Sequence, residues 1–156
     1  MKKLKILIIM PRIRSDVNAA YSFALGIPYI SSVLKSNGFT VLTLNLNSYE
    51  NATEVIIRTI KSNQINVVMS GGLSPQFREV KSIFDTAKSF DRKIITICGG
   101  GLISGDPLAA MEAIETVDYG VIGEGEVTIC ELCRSLETNY NQRNIPGIVL
   151  KKDCEF

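Results

Sequence analysis

Histidine and tryptophan are absent from the 156 residues. Without histidine there can be no Ser-His-Asp triad, no imidazole general base and no His-based metal site. Excess charge is missing as well: the formal net charge is +1, which offers neither a basic field for nucleic acid nor a polybasic anchor for a membrane surface. No apolar run approaches the length of a membrane span, and the longest early one, residues 6–10, is strand-sized. Met1-Lys2-Lys3 is basic, but the apolar stretch that follows ends at Pro11-Arg12, too soon for a signal-peptide core, so a cytoplasmic protein is expected. Several nucleotide signatures are also lacking. Pro11-Arg12-Ile13-Arg14-Ser15-Asp16 stands where a dinucleotide fold carries G-x-G-x-x-G, and no Walker motif occurs. Leu44-Asn45-Leu46-Asn47 supplies no acidic ribose partner, and Ser70-Gly71 replaces the aspartate of a phosphoacceptor domain.

Cysteine is sparse: Cys98, Cys130, Cys133 and Cys154. Cys130 and Cys133 form a C-x-x-C, a spacing used for redox and metal pairs. They fall, however, on a helical apolar stripe with Ile129, Leu132 and Leu136, and no second C-x-x-C completes a zinc site. Core packing is therefore the expectation, with both thiols reduced and Cys133 facing inward.

What is present is a core-forming mixture, 46% hydrophobic and 21% charged, of a length suited to one domain. Near-continuous apolar runs at residues 4–10, 40–46, 66–70, 93–98 and 118–122 read as buried parallel strands. Between them lie helical stripes: Ile27, Ile30 and Leu34; Val55, Ile56 and Ile60; Val80, Ile83, Phe84 and Ala87; Ala110, Met111 and Ile114. Asn37-Gly38 is a natural helix stop, while Ser74-Pro75 and Asp106-Pro107 each place an N-cap acceptor before a first-turn proline. Strict alternation implies right-handed crossovers and a flavodoxin-like (Rossmann-like) α/β fold: a doubly wound parallel five-stranded sheet, order 2-1-3-4-5, with helices on both faces. Residues 1–139 form this domain. Residues 140–156 form a C-terminal extension in which 145–150 adds a short edge strand.

Ligands of such sheets bind beyond the carboxyl ends of the strands. There the chain carries Ser70-Gly71-Gly72-Leu73-Ser74, then Gly99-Gly100-Gly101-Leu102, then Gly123-Glu124-Gly125-Glu126. Tight strand–helix turns favour glycine on their own account, but clusters on three neighbouring strands also suit a bulky ligand lying close to the backbone.

Taken in order, these loops resemble the N-terminal cobalamin (vitamin B12)-binding domain of radical S-adenosylmethionine enzymes, a group that includes anaerobic magnesium-protoporphyrin IX monomethyl ester cyclases and methyltransferases. The resemblance rests on Gly26-Ile27-Pro28-Tyr29-Ile30 leading to Leu34, Gly38 and Val41, and on Ser70-Gly71-Gly72-Leu73 and Cys98-Gly99-Gly100-Gly101. Most specific is the run from Val117-Asp118 to Gly123-Glu124-Gly125-Glu126 and on to Glu131-Leu132, closed by Ile145-Pro146-Gly147-Ile148. It spans essentially the whole chain.

The resemblance implies a module that holds cobalamin and performs no catalysis alone. Ser70, Gly71, Gly72, Leu73, Ser74, Gly99, Gly100, Gly101 and Leu102 would line the slot for the cofactor's nucleotide tail, with the corrin ring capping the strand ends. Gly123, Glu124 and Gly125 have two readings: cofactor contact, or carboxylates complementing a helix N-terminus. The family's D-x-H-x-x-G, which supplies a lower axial histidine, is echoed by Asp16-Val17-Asn18-Ala19-Ala20-Tyr21 with Asn18 in the histidine position. Cobalamin would then be held base-off without a His ligand; the alternative is a domain of this fold that binds no corrin and serves interaction or substrate positioning. A radical S-adenosylmethionine catalytic domain, in cis or in trans, is the implied partner. Its C-x-x-x-C-x-x-C motif is not in this chain, so the sites for its [4Fe-4S] cluster and S-adenosylmethionine would lie elsewhere.

Overall fold

The computed structural model describes residues 3–13, 25–138 and 140–151. Along these, strands and helices alternate: β1 Lys5–Met10, α1 Gly26–Ser36, β2 Thr40–Asn45, α2 Ala52–Asn63, β3 Val67–Gly71, α3 Phe77–Phe90, β4 Ile95–Gly99, α4 Gly101–Gly105, α5 Pro107–Ala113, β5 Tyr119–Val121, α6 Glu126–Thr138 and β6 Ile148–Leu150. The sheet order is β2-β1-β3-β4-β5-β6. The first five strands are parallel in the expected order, with the switch point between β1 and β3. β6 makes the sheet six-stranded and runs antiparallel to β5. α6 ends near Leu4 at the amino ends of the strands, and residues 140–147 run back to the carboxyl edge, so β6 enters opposite Val121 and descends antiparallel to β5.

The period-two alternation of strand side chains sorts the core into two layers. From β1, Leu7 and Ile9 join one layer with the buried faces of α2, α3, α4 and α5. Ile6 and Ile8 join the other, covered by α1 and α6. Each β1 residue from Ile6 to Met10 is buried, as a central parallel strand requires. β2 departs from that pattern. Only Val41 and Leu44 of its apolar residues are buried and Leu42 is exposed, because β2 is an edge strand with no neighbour beyond it.

Most punctuation signals act as expected. Gly38 stops α1 with φ +86°, and the Asp106 carboxylate accepts the Ala109 N–H at 3.1 Å, a cap worth about 1 kcal/mol. Ser74 is different. It opens a 3-10 turn, Ser74–Gln76, ahead of α3 and caps nothing with its side chain. The turn is closed instead by Gln76, whose carboxamide oxygen accepts the Leu73 N–H at 2.8 Å. The stripe Val80, Ile83, Phe84 and Ala87 is fully buried in α3, and Cys130 and Cys133 lie buried in α6. Burial raises both thiol pKa values. Cys154 and the segment Asp16-Val17-Asn18-Ala19-Ala20-Tyr21 lie outside the described residues.

At the amino ends of the strands a polar clamp joins three elements. Asp118, directly before β5, accepts from Lys88 Nζ at 2.6 Å and from the Thr96 N–H at 2.9 Å. Lys88 also donates to the Ile94 carbonyl at 2.7 Å. The clamp ties α3, β4 and β5 together far from the glycine loops. No helix among the described residues is long and apolar enough to cross a membrane.

Candidate functional site

The parallel register brings the three glycine-rich segments to one edge. Ser70 stands opposite Cys98, and Gly71 opposite Gly99, on the last rungs between β3 and β4. Beyond the sheet the contact continues: the Leu102 N–H donates to the Gly72 carbonyl at 2.8 Å. The β5 loop is tied in by Ser104, whose hydroxyl accepts the Gly123 N–H at 2.9 Å. Ser70, Gly71, Gly72, Leu73, Gly99, Gly100 and Gly101 thus share one surface, and Gly123–Gly125 borders it.

Several of these glycines answer to the fold itself. A Cβ on Gly71 would sit 2.3 Å from the Gly99 carbonyl oxygen, a backbone atom that cannot move aside. Gly100 holds φ +81° and passes within 3.0 Å of the Gly72 oxygen, measured from a built Cβ. At Gly101 the neighbour is the Leu73 side chain at 2.8 Å. Gly99 behaves otherwise: a Cβ there would meet nothing nearer than the Val121 carbonyl oxygen at 3.9 Å. By alternation from Ile97, Gly99 faces the layer covered by α1 and α6. A Cβ built on Gly125, in the β5 loop, would lie 3.2 Å from Val121 and 3.6 Å from Ile30, so that loop runs close to α1 at the carboxyl end of β5.

The other sequence-predicted residues divide. The Ser70 hydroxyl is committed, donating to the Ile9 carbonyl at 2.9 Å, and so stitches β3 to β1. Leu102 is buried in the core with Ile103 behind it, and its backbone rather than its side chain reaches the loops. Leu73 and Ser74 are exposed. Glu126 lies in the first turn of α6, where its carboxylate complements the helix dipole, and Glu124 is exposed just before it. Cys98 lies beneath the surface, its thiol pushed up to about 12 by burial, which leaves it unreactive.

Two organising residues carry no motif. The buried Asn47 accepts the Ile13 N–H at 3.0 Å and donates to the Pro11 carbonyl at 3.3 Å. These are the two bonds a strand residue would make, so the side-chain amide adds a rung between β1 and β2 past their ends. Arg12 reinforces it by donating to the carbonyls of Tyr49 and Glu50. Together they fix where the β1 chain leaves the sheet at the switch point. Two further grooves lie elsewhere: one of about 380 Å³ between α2 and α3, and one of about 390 Å³ at the opposite end of the sheet by Phe39 and Arg134.

The carboxyl edge of the sheet thus gathers glycines from three loops, and sheets of this topology take their ligands at that edge. The B12 binding domain model matches residues 16–133, well over half of the chain. The chain belongs to the B12 binding domain family. Cobalamin is the cofactor that membership assigns to it. The chain is 22% identical to an uncharacterized methyltransferase, PH0819, of Pyrococcus horikoshii, over 98% of its own length and 34% of that protein's. Its fold is similar to the cobalamin-dependent S-adenosylmethionine radical enzyme OxsB solved with aqua-cobalamin and S-adenosylmethionine bound (TM-score 0.75, 18% identity, 93% of this chain and 20% of that one). The apo form of OxsB matches over the same shares with a TM-score of 0.68. The B12 domain thus spans about a third of the curated relative and a fifth of the radical enzyme.

The residues present fit the cofactor on one side. Among the described residues, Gly99 leaves its side of the sheet clear out to 3.9 Å, beside the apolar Val121, which suits a bulky tail. The absence of histidine from the sequence leaves no imidazole to ligate cobalt.

Proposed function

We infer that this chain is the cobalamin-holding module of a radical S-adenosylmethionine-type enzyme, and that it takes the cofactor base-off with no histidine beneath the metal. The observation that carries this reading is Gly99, at the end of β4, where a Cβ would meet no described atom nearer than 3.9 Å while the facing Gly71 is tightly packed. The nucleotide tail enters beside Gly99, in a hollow between the strand ends and the α1–α6 layer. Gly123–Gly125 and the start of α6 border it, and backbone N–H groups of the loops serve the phosphate. The corrin lies across the ends of β3, β4 and β5. When bound, cobalamin supplies the cobalt chemistry of the parent enzyme, and this chain's residues hold and orient it.

The catalytic domain, with its iron–sulfur cluster and S-adenosylmethionine, belongs to the remainder of a longer protein or to a partner. The small share of both relatives that this chain spans supports the first arrangement. Mixing the protein with hydroxocobalamin, desalting, and recording the visible spectrum tests the reading: stoichiometric retention of a corrin with a base-off spectrum supports it, and a colourless protein sinks it.

One observation favours a second reading, a domain of this fold that binds no corrin and acts in interaction or positioning. Gly71 and Gly100 are required by close backbone approach whether or not a ligand is present. The same desalting experiment separates the two.

A further inference from the structure

We propose that Ser104 is the positioning residue of the cofactor site, holding the β5 loop at the edge of the tail hollow; the inference rests on the cobalamin reading above. α4 is a five-residue helix placed between the glycine loops. Its amino end is fastened to the β3 loop by the Leu102 N–H on the Gly72 carbonyl, and the buried Leu102 and Ile103 anchor it in the core. Ser104, the next residue, accepts the Gly123 N–H at 2.9 Å. The helix is thereby a bracket that ties all three loops into one unit.

The bond matters because of what Gly123 does. Gly123 holds φ +71°, and a Cβ there would meet nothing within 4 Å, so packing does not fix this turn. The left-handed conformation is set by backbone freedom and by the Ser104 hydroxyl. Two residues later a Cβ on Gly125 would lie 3.2 Å from Val121 and 3.6 Å from Ile30, beside the proposed tail hollow, and the Gly125 carbonyl accepts the Ile129 N–H at 2.8 Å as α6 begins. Releasing Gly123 therefore loosens the wall on the tail side and leaves the corrin-facing surface of the β3 and β4 loops in place. Gly123 is exposed, so its freed N–H turns to water and the fold loses little.

The test uses the full chain with Ser104→Ala and Ser104→Thr, titrated with hydroxocobalamin and with cobinamide, a corrin that lacks the nucleotide tail. Ser104→Ala is expected to weaken cobalamin binding about fivefold to tenfold, the value of one hydrogen bond, with cobinamide binding and melting temperature unchanged. Ser104→Thr, which keeps the hydroxyl, restores affinity. Equal affinity of wild type and Ser104→Ala for cobalamin overturns the proposal, as does an equal loss for cobinamide. Amide hydrogen exchange of the ligand-free protein separates this inference from the functional reading. Faster exchange at Gly123 in Ser104→Ala supports the bracket even where the wild type retains no corrin, and unchanged exchange overturns it.

Discussion

Gly71 and Gly99 face each other on the last rung between β3 and β4, yet their demands are opposite: a Cβ on Gly71 would lie 2.3 Å from the Gly99 oxygen, whereas a Cβ on Gly99 has clear space out to 3.9 Å. One glycine is needed by the sheet, and the other is not required by any described neighbour.

Gly71→Ala is accordingly expected to destabilise the fold by about 1–3 kcal/mol, since the new methyl meets backbone that cannot rotate away. Denaturant unfolding checks this as a fall in midpoint with the slope unchanged. A stability equal to wild type would show that β3 and β4 part easily at their ends.

Gly99→Val is expected to do the reverse. The side chain enters the hollow without touching the core, and a β-branched residue suits a strand, so the unfolding midpoint holds or rises slightly. Cobalamin retention after desalting is lost. Gly100 is a poorer probe of the same surface, because its φ of +81° makes any side chain strained before it reaches a ligand. Full retention by Gly99→Val would place the tail elsewhere.

Alkaline pH should weaken the protein through its buried thiols. Burial raises the Cys98 pKa from 9.0 to about 12, and Cys133 is shifted in the same direction. Above pH 9 the unfolded chain releases these protons while the folded one keeps them. Stability is therefore complete below pH 9 and falls as pH rises toward 12, by up to about 1.4 kcal/mol per pH unit for each thiol. Unfolding midpoints across that range measure the slope. At pH 8, Cys98, Cys130 and Cys133 should resist thiol reagents until denaturant is added.

The empty histidine count bears on the cobalt itself. In the proposed base-off mode, neither an imidazole of this chain nor the cofactor's own dimethylbenzimidazole would lie below the metal. Electron paramagnetic resonance of the cobalt(II) form should show cobalt lines without the threefold splitting a nitrogen ligand imposes. That splitting, if observed, would falsify base-off binding.

Much of the fold was legible because periodicity reports burial. The β1 run and the Val80–Ile83–Phe84–Ala87 stripe both lie where their spacing placed them. β2 was read as covered on both faces because Leu42 and Leu44 look equally apolar, although the expected strand order already placed it at the edge, where Leu42 is exposed. The glycine clusters stand together at the carboxyl edge of the sheet. Sequence could not separate Gly71 from Gly99, since the difference lies in what stands across the rung. Ser104, Arg12 and Asn47 were invisible for a related reason. Each works through side-chain bonds to backbone distant in the chain, and no local spacing encodes that. Ser104 had one faint mark, a polar residue between the buried Leu102-Ile103 pair and the Asp106 cap.

Asn47 also makes one property of this architecture unusually easy to alter. Strand pairing is ordinarily written into the main chain, which every amino acid except proline supplies in full. Here the outermost step of the β1–β2 ladder is written into a carboxamide. A single codon change deletes it, and the departure point of the chain that follows β1 becomes a variable that mutation can tune while the sheet beneath stays constant.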